Sequence, residues 1–289
     1  NWALLLPLAV PTYILAFVFT DQLEYAGAVQ GTLREIFGWR NRQDYWFPEI
    51  RSMGGAITVM TLVLYPYVYL LARAAFLEQS VCVLEVSRTL GKSAWQSFWT
   101  LPLPLARPAI VVGMTLAMME ALNDFGTVDF FGVKTFTAGI YDVWLNMDNI
   151  SGAAQLASVL MIFVVVLVVL ERMARRGQRY HHTSSKIQAL PSYRLRGIKA
   201  MLAAVFCALP ILFGFVLPAS VLVSYAVVFF DVTLQANYLT ITLNSISLSL
   251  GAAVIAVAIG LLLAYGLRMG SGPLPRAAVR FASIGYAVP

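Results

Sequence analysis

Six long runs of unbroken apolar sequence leave this chain few architectures. They lie at roughly 2–20, 53–76, 105–122, 153–171, 200–226 and 241–267. Each is close to the ~20 residues that an α-helix needs to cross a bilayer. A seventh run begins near 281 and is cut off. Continuous rather than alternating apolarity favours helices over a barrel, because a helix satisfies its backbone within one segment. Only 12% of the residues are charged, against about 25% in soluble domains. The expected fold is all-α, a polytopic membrane helical bundle with six complete transmembrane helices plus the start of a seventh.

Several of these runs carry features suited to packing against protein. Pro11, Pro66, Pro210 and Pro218 fall inside them and predict kinks or unwound turns. Ala252, Ala256, Gly260 and Ala264 recur every four residues in the sixth run, a spacing that lets another helix approach closely. Tyr65, Tyr67 and Tyr69 alternate around Pro66 and are expected to pack or to sit at an interface.

Charge orients the runs. Segment 172–199 holds Arg172, Arg175, Arg176, Arg179, Lys186, Arg194, Arg196 and Lys199, so the positive-inside rule makes it cytoplasmic. Alternation then places 77–104 and 268–280 on the same side. The latter carries Arg268, Arg276 and Arg280 with no acid. Segments 21–52, 123–152 and 227–240 fall on the opposite side. Of these, 123–152 carries Asp124, Asp129, Asp142 and Asp148 against Lys134 alone.

Residues 85–104 form a polar stretch between two apolar runs. Residues 78–90 can make a short helix, and Gly91 can take the left-handed conformation that ends it. Ala94, Trp95, Phe98 and Trp99 give a second apolar face, and Pro102 and Pro104 stop that run. The expectation is a helix–turn–helix with an apolar face for a partner's groove. A plain amphipathic loop on the membrane surface is the alternative.

Glu85, then Gly91, then Leu101-x-Leu103-Pro104 resembles the cytoplasmic "EAA" loop of binding-protein-dependent ABC importer permeases. Val86 and Ser87 stand where that loop has two alanines, and Leu101 where it has Ile. The resemblance implies a MetI-like permease bundle that is pushed at this loop by separate ATPase subunits and supplied by a periplasmic substrate-binding protein. It implies an ATPase-coupling set of Glu85, Gly91, Trp95, Leu101, Leu103 and Pro104. Gly91 would supply the turn, and Glu85 would anchor the loop. Gly91-Lys92-Ser93 imitates the end of a nucleotide-binding P-loop, but position 86 is Val where that motif needs Gly. The chain is therefore expected to have no ATP site and no catalytic residues of its own.

Leu6–Tyr13, Tyr45–Ser52, Leu64–Arg73 and Asn123–Gly132 resemble stretches of the ferric-iron (iron(III)) ABC permeases, in which two permease halves are fused. Ala9-Val10-Pro11 recurs as Ala287-Val288-Pro289. On that reading the chain is an internal fragment of a longer protein. Residues 1–171 are the C-terminal part of the first permease repeat, including the EAA-like loop 78–104. Residues 172–199 are a basic cytoplasmic linker, and 200–289 the N-terminal part of the second repeat. Such repeats would run parallel, since both loops must face ATPases.

A second candidate region follows the third run. Glu120, Asn123, Asp124 and Asp129 bring acidic and amide oxygens near membrane depth, a composition that marks ion paths and suits a hard cation. An ordinary outer loop is the alternative. Any contact with cargo there is expected to be weak. Cys82 and Cys207 lie too far apart in the pattern to pair, and His181-His182 sits in the basic linker. No resident metal, cofactor or nucleic-acid partner is expected. Thiamine, polyamine, phosphonate or sulfate remain alternative cargoes. An ion-driven secondary transporter would need buried charge in mid-span, where these runs have almost none. A membrane enzyme would need a reactive constellation in its loops.

Overall fold

In the computed structural model, residues 2–79, 89, 91–175, 195–230 and 237–269 are described. Every regular element among them is helical. Glu85, Cys82, the helix expected at 78–90, most of the basic linker with His181-His182, and the run after 281 lie outside the described residues. The chain divides into two units, 1–219 and 220–288.

A 3-10 helix covers Trp2–Ala9. Then come α1 (Thr12–Leu23), α2 (Ala28–Phe37), α3 (Met53–Leu77), α4 (Ala94–Thr100) and α5 (Pro102–Asn123). Two short helices follow, α6 (Gly126–Phe130) and α7 (Phe136–Tyr141), then α8 (Ile150–Arg175). Next, α9 (Ile198–Ile211) passes through a π-helical turn, Leu212–Val216, into α10 (Leu217–Val228). α11 (Tyr238–Met269) completes the described elements of the second unit.

Five helices are long and apolar enough to cross a membrane: Met53–Leu77, Pro102–Asn123, Ile150–Glu171, Ile198–Val228 and Tyr238–Gly266. The first apolar run differs from expectation. It is broken, with the 3-10 helix bent 86° from the helix that follows, and it makes a sixth span only if both pieces count as one. The cause is local. The residue before a proline is driven towards extended backbone, and Pro11 has no N–H to continue the ladder. Pro11 itself sits at φ −56°, ψ 138° as the residue capping α1.

One of the expected kinks has a different outcome. Pro66 lies inside an uninterrupted 25-residue helix. It cannot donate to the carbonyl four residues back, so Leu62 O is released from the ladder. That carbonyl faces Gly214 in the π turn, where a Cβ would lie 3.0 Å from Leu62 O and 2.9 Å from the Pro7 ring. The glycine thus permits a three-way crossing of α3, the π turn and the 3-10 helix. Tyr65 Oη adds a hydrogen bond to Leu4 O, 2.5 Å away. These contacts fall near the midpoints of both spans, so the 3-10 helix meets them at mid-length.

The largest helix pairing is α3 with α5. Around the end of the bundle carrying Met53 and Asn123, one apolar core joins α1 (Leu15, Ala16, Phe19), α3 (Ala56, Val59, Val63) and the α6 region (Val128, Phe131, Val133). No part of the apolar window of α11 is buried. Its Ala252, Ala256, Gly260 and Ala264 stripe is exposed, and a Cβ on Gly260 would meet nothing.

The segment between α1 and α3 is ordered by its own polar contacts. The Asp44 carboxylate accepts the N–H groups of Arg40 and Asn41, both at 2.8 Å. Those two bonds hold its carboxyl below the ordinary aspartate range. A lowered folded value means the turn is fully supported above the ordinary range and loses support as pH falls through the lowered value. Hydrogen-exchange protection of the Arg40 and Asn41 amides should therefore persist at neutral and mildly acid pH. It should fade only in strong acid, and at every pH in Asp44→Asn.

Candidate functional site

The described part of the polar stretch before α5, residues 91–101, forms an elbow. Gly91 has φ +76°, the left-handed conformation expected of it, which is costly for any residue with a Cβ. Ser93 then caps α4: its hydroxyl accepts from Gln96 N at 3.3 Å, while Gln96 Oε1 accepts from Ser93 N at 3.2 Å. This reciprocal box satisfies two otherwise orphaned donors and sets where the helix begins.

Leu101 breaks the chain between α4 and α5 at φ −127°, ψ −67°. Pro102 and Pro104 do not simply stop a run. Pro102 opens α5 at its first position, where its missing N–H costs nothing. This places the start of the span three residues ahead of the apolar run read from sequence. Leu103 is half-buried and Pro104 exposed in that first turn. Gln79 Nε2 donates to Pro102 O at 2.8 Å, tying the end of α3 to the start of α5. A displacement of the elbow therefore has a direct mechanical route into both helices.

The elbow presents aromatic surface. Phe98 stacks on Phe76 at 6.0 Å and on Trp95 at 5.9 Å, and Trp99 meets both Trp95 and Phe98 edge-on. Trp95 stays 70% exposed and Trp99 54%. Large indole faces fixed by neighbours and open on one side are the composition of a protein-docking patch.

The second candidate region is at the other end of α5, and its members do not converge. Asp124 accepts from Thr12 Oγ1, from Thr127 N at 2.7 Å and from Thr127 Oγ1 at 2.9 Å. Both carboxylate oxygens are engaged in joining α1, α5 and α6. Asn123 Oδ1 is buried with no hydrogen-bond partner among the described residues. Glu120 and Asp129 are exposed. Asp129 lines a cavity of about 560 Å³ with Lys134, Tyr141 and Asp142. No group of three or more metal-type ligands occurs among the described residues.

Asp124→Ala should lower the melting temperature of the purified protein in detergent. It orphans three donors, at roughly 1–3 kcal/mol for each one left unsatisfied. Asp129→Ala, at an exposed carboxylate, should leave melting unchanged in the same scan.

Reading the sequence alone did not single out Thr12 and Thr127 as partners of Asp124, nor Ser93, Gln96 and Gln79 as organisers of the elbow. The Ser93-x-x-Gln96 spacing ahead of an apolar face was the available signal for the cap.

Residues 2–180 match the model of the family described as binding-protein-dependent transport system inner membrane component. An Fe(3+)-transport system permease protein of Haemophilus influenzae is 29% identical over 185 residues, 64% of this chain and 32% of that protein. A ferric transport system permease protein of Actinobacillus pleuropneumoniae is 24% identical over 259 residues, 86% of this chain and 35% of that protein. A molybdenum transport system permease protein of Escherichia coli is 27% identical over 177 residues, 59% of this chain and 74% of that protein. The chain thus spans about a third of the two iron relatives' length.

Proposed function

The chain belongs to the family of binding-protein-dependent transport system inner membrane components, and from that premise we propose that it is the permease part of an ABC importer for iron(III). It forms part of the translocation path. It takes work from separate ATPase subunits at the elbow, and cargo from a periplasmic binding protein on the opposite side. The observation that carries this reading is the elbow: a left-handed Gly91 and exposed Trp95 and Trp99, coupled to two spans within the region matched by the family.

The topology that goes with it puts 77–104, 172–199 and 268–280 in the cytoplasm. Glu85 anchors the loop against the ATPase or its own neighbours. Leu101, Leu103 and Pro104 seat α5 so that motion at the elbow tilts it. Energy enters only through contacts that differ between the inward- and outward-facing states. Glu120, Asn123 and Asp129 offer oxygen contacts to a passing cation. Asp124 holds the helices beside that path.

Iron(III) rather than another cargo is supported by the two iron relatives named above. Both are much longer than the matched portion, as two fused halves would be. The Actinobacillus alignment covers 86% of this chain, more than fits on either side of the basic linker, so it must run across it. That supports reading 1–171 and 200–289 as parts of successive repeats. The molybdenum relative, aligned over 74% of its own length, favours molybdate as the competing cargo.

The test is uptake into proteoliposomes holding the full protein with its ATPase and loaded binding protein. ATP-dependent entry of radioactive iron(III), unaffected by excess molybdate, is the expected result. Molybdate entry without iron entry would keep the permease and replace the cargo. Iron entry that ignores ATP would overturn the ABC reading.

A further inference from the structure

The helix α2 is built the reverse way from an ordinary amphipathic helix of a soluble protein, which turns its apolar stripe towards the core. Its apolar residues, Val29, Leu33, Ile36 and Phe37, recur at the spacing of one helical face. Most of that face is open: Ile36 is 69% exposed and Phe37 60%, while Leu33 is half-buried. The neighbouring polar flank grips the protein instead. Gln30 is buried, donates to Leu23 O at 2.7 Å and accepts from Tyr45 Oη. Arg34 donates to Tyr25 O at 2.6 Å and lies 4.1 Å from the centre of the Tyr25 ring. No described residue therefore covers the open part of the apolar stripe.

We propose that α2 lies in the membrane–water interface, with Val29, Leu33, Ile36 and Phe37 seated on acyl chains at the bilayer edge. Three observations choose lipid over another protein. The helix is tethered closely to α1, which ends at Leu23 just before α2 begins at Ala28. Its polar grip docks it onto the end of α1 itself, through Leu23. It is followed by a stack of Phe37, Trp39 and Tyr45, with rings 4.7 Å and 4.6 Å apart. Amphipathic aromatics of this kind favour the headgroup level, and Arg34 with its long stem suits the same depth. No acidic residue falls on the apolar arc, and Glu35 points away from it by helical spacing. A short helix with one apolar face and one polar face is the form that rests in that zone.

The helix serves as a float that fixes the depth of α1 and α3. It neither spans the membrane nor contacts cargo, and the proposal does not depend on which substrate is carried. Single nitroxide labels at Val29→Cys, Ile36→Cys and Glu35→Cys test it, in an otherwise cysteine-free full protein. Vesicles of phosphatidylethanolamine and phosphatidylglycerol serve as the membrane. Labels at 29 and 36 should collide more with oxygen, which concentrates in acyl chains, than with a water-soluble nickel chelate. The label at 35 should show the opposite preference. Equal nickel access at 36 and 35 would overturn the proposal. Protection of 36 from both reagents would also overturn it, because that pattern means a protein surface covers the face.

Discussion

In the importer proposed above, Gly91→Pro should abolish ATP-driven uptake, while Gly91→Asn should retain most of it. Proline is locked near φ −65° and cannot reach the +76° found here. Asparagine visits the left-handed region more readily than other residues with a Cβ. A Cβ at Gly91 would meet no atom within 4 Å, so crowding is not at issue. Only the backbone angle is being tested. Alanine should pay about 1–2 kcal/mol for it, and valine more. Uptake should therefore fall in the order Asn, Ala, Val, Pro. ATP hydrolysis in the same vesicles separates the consequences. If the elbow transmits work, hydrolysis stimulated by loaded binding protein falls with uptake. Full uptake by the valine variant would show that the left-handed turn is dispensable.

Gly113→Leu should prevent the protein from being recovered as a monodisperse species, and Gly113→Ala should lower its melting temperature. Gly113 lies where α5 crosses α3. A Cβ there would sit 2.7 Å from Val68 Cα and 3.0 Å from Tyr67 O. Both neighbours are backbone, so no side chain can swing aside and the helices must part. Ala106, two turns earlier on the same face, is fully buried, which leaves the seam no slack nearby. Overpacking of this type costs about 1–3 kcal/mol for one methyl and more for a branched side chain. Gly139→Ala is the control, since its Cβ would meet nothing within 4 Å. Size-exclusion profiles and thermal scans in detergent read both outcomes. A Gly113→Ala protein that melts with the wild type would mean the crossing is looser than the geometry requires.

The long spans were legible because their signal is additive. Some twenty apolar residues in a row outweigh local exceptions, and α3, α5, α8, α9–α10 and α11 all begin within a few residues of the runs that announce them. The turn at Gly91 was legible for a different reason, since a glycine in a polar stretch between two apolar runs has few other uses. The break at Pro11 was legible as a kink or unwound turn, but so was one at Pro66, because prolines inside apolar runs look alike. Pro66 sits in an unbroken helix and Pro11 starts a new one, and the difference is made by neighbours distant in sequence. Short helices were also missed. In α2 the spacing of Val29, Leu33, Ile36 and Phe37, with Gly38 at φ +69° closing the helix, was present but hidden in a segment read as loop. At the second candidate region, composition identified oxygen-rich residues but not their engagements. Asp124 is held by Thr12, 112 positions away.

The crossing of the 3-10 helix with the π turn sets a timetable for biogenesis. Pro7 meets Gly214, yet a ribosome delivers the second roughly 200 residues after the first. At about 5–20 residues per second this is an interval of some 10–40 s. Throughout it, the piece Trp2–Ala9 can reach α3 but not the π turn. A segment this short cannot cross the bilayer by itself, and a 3-10 backbone is poorly tolerated in bare lipid. Its packing against the π turn is thus completed late.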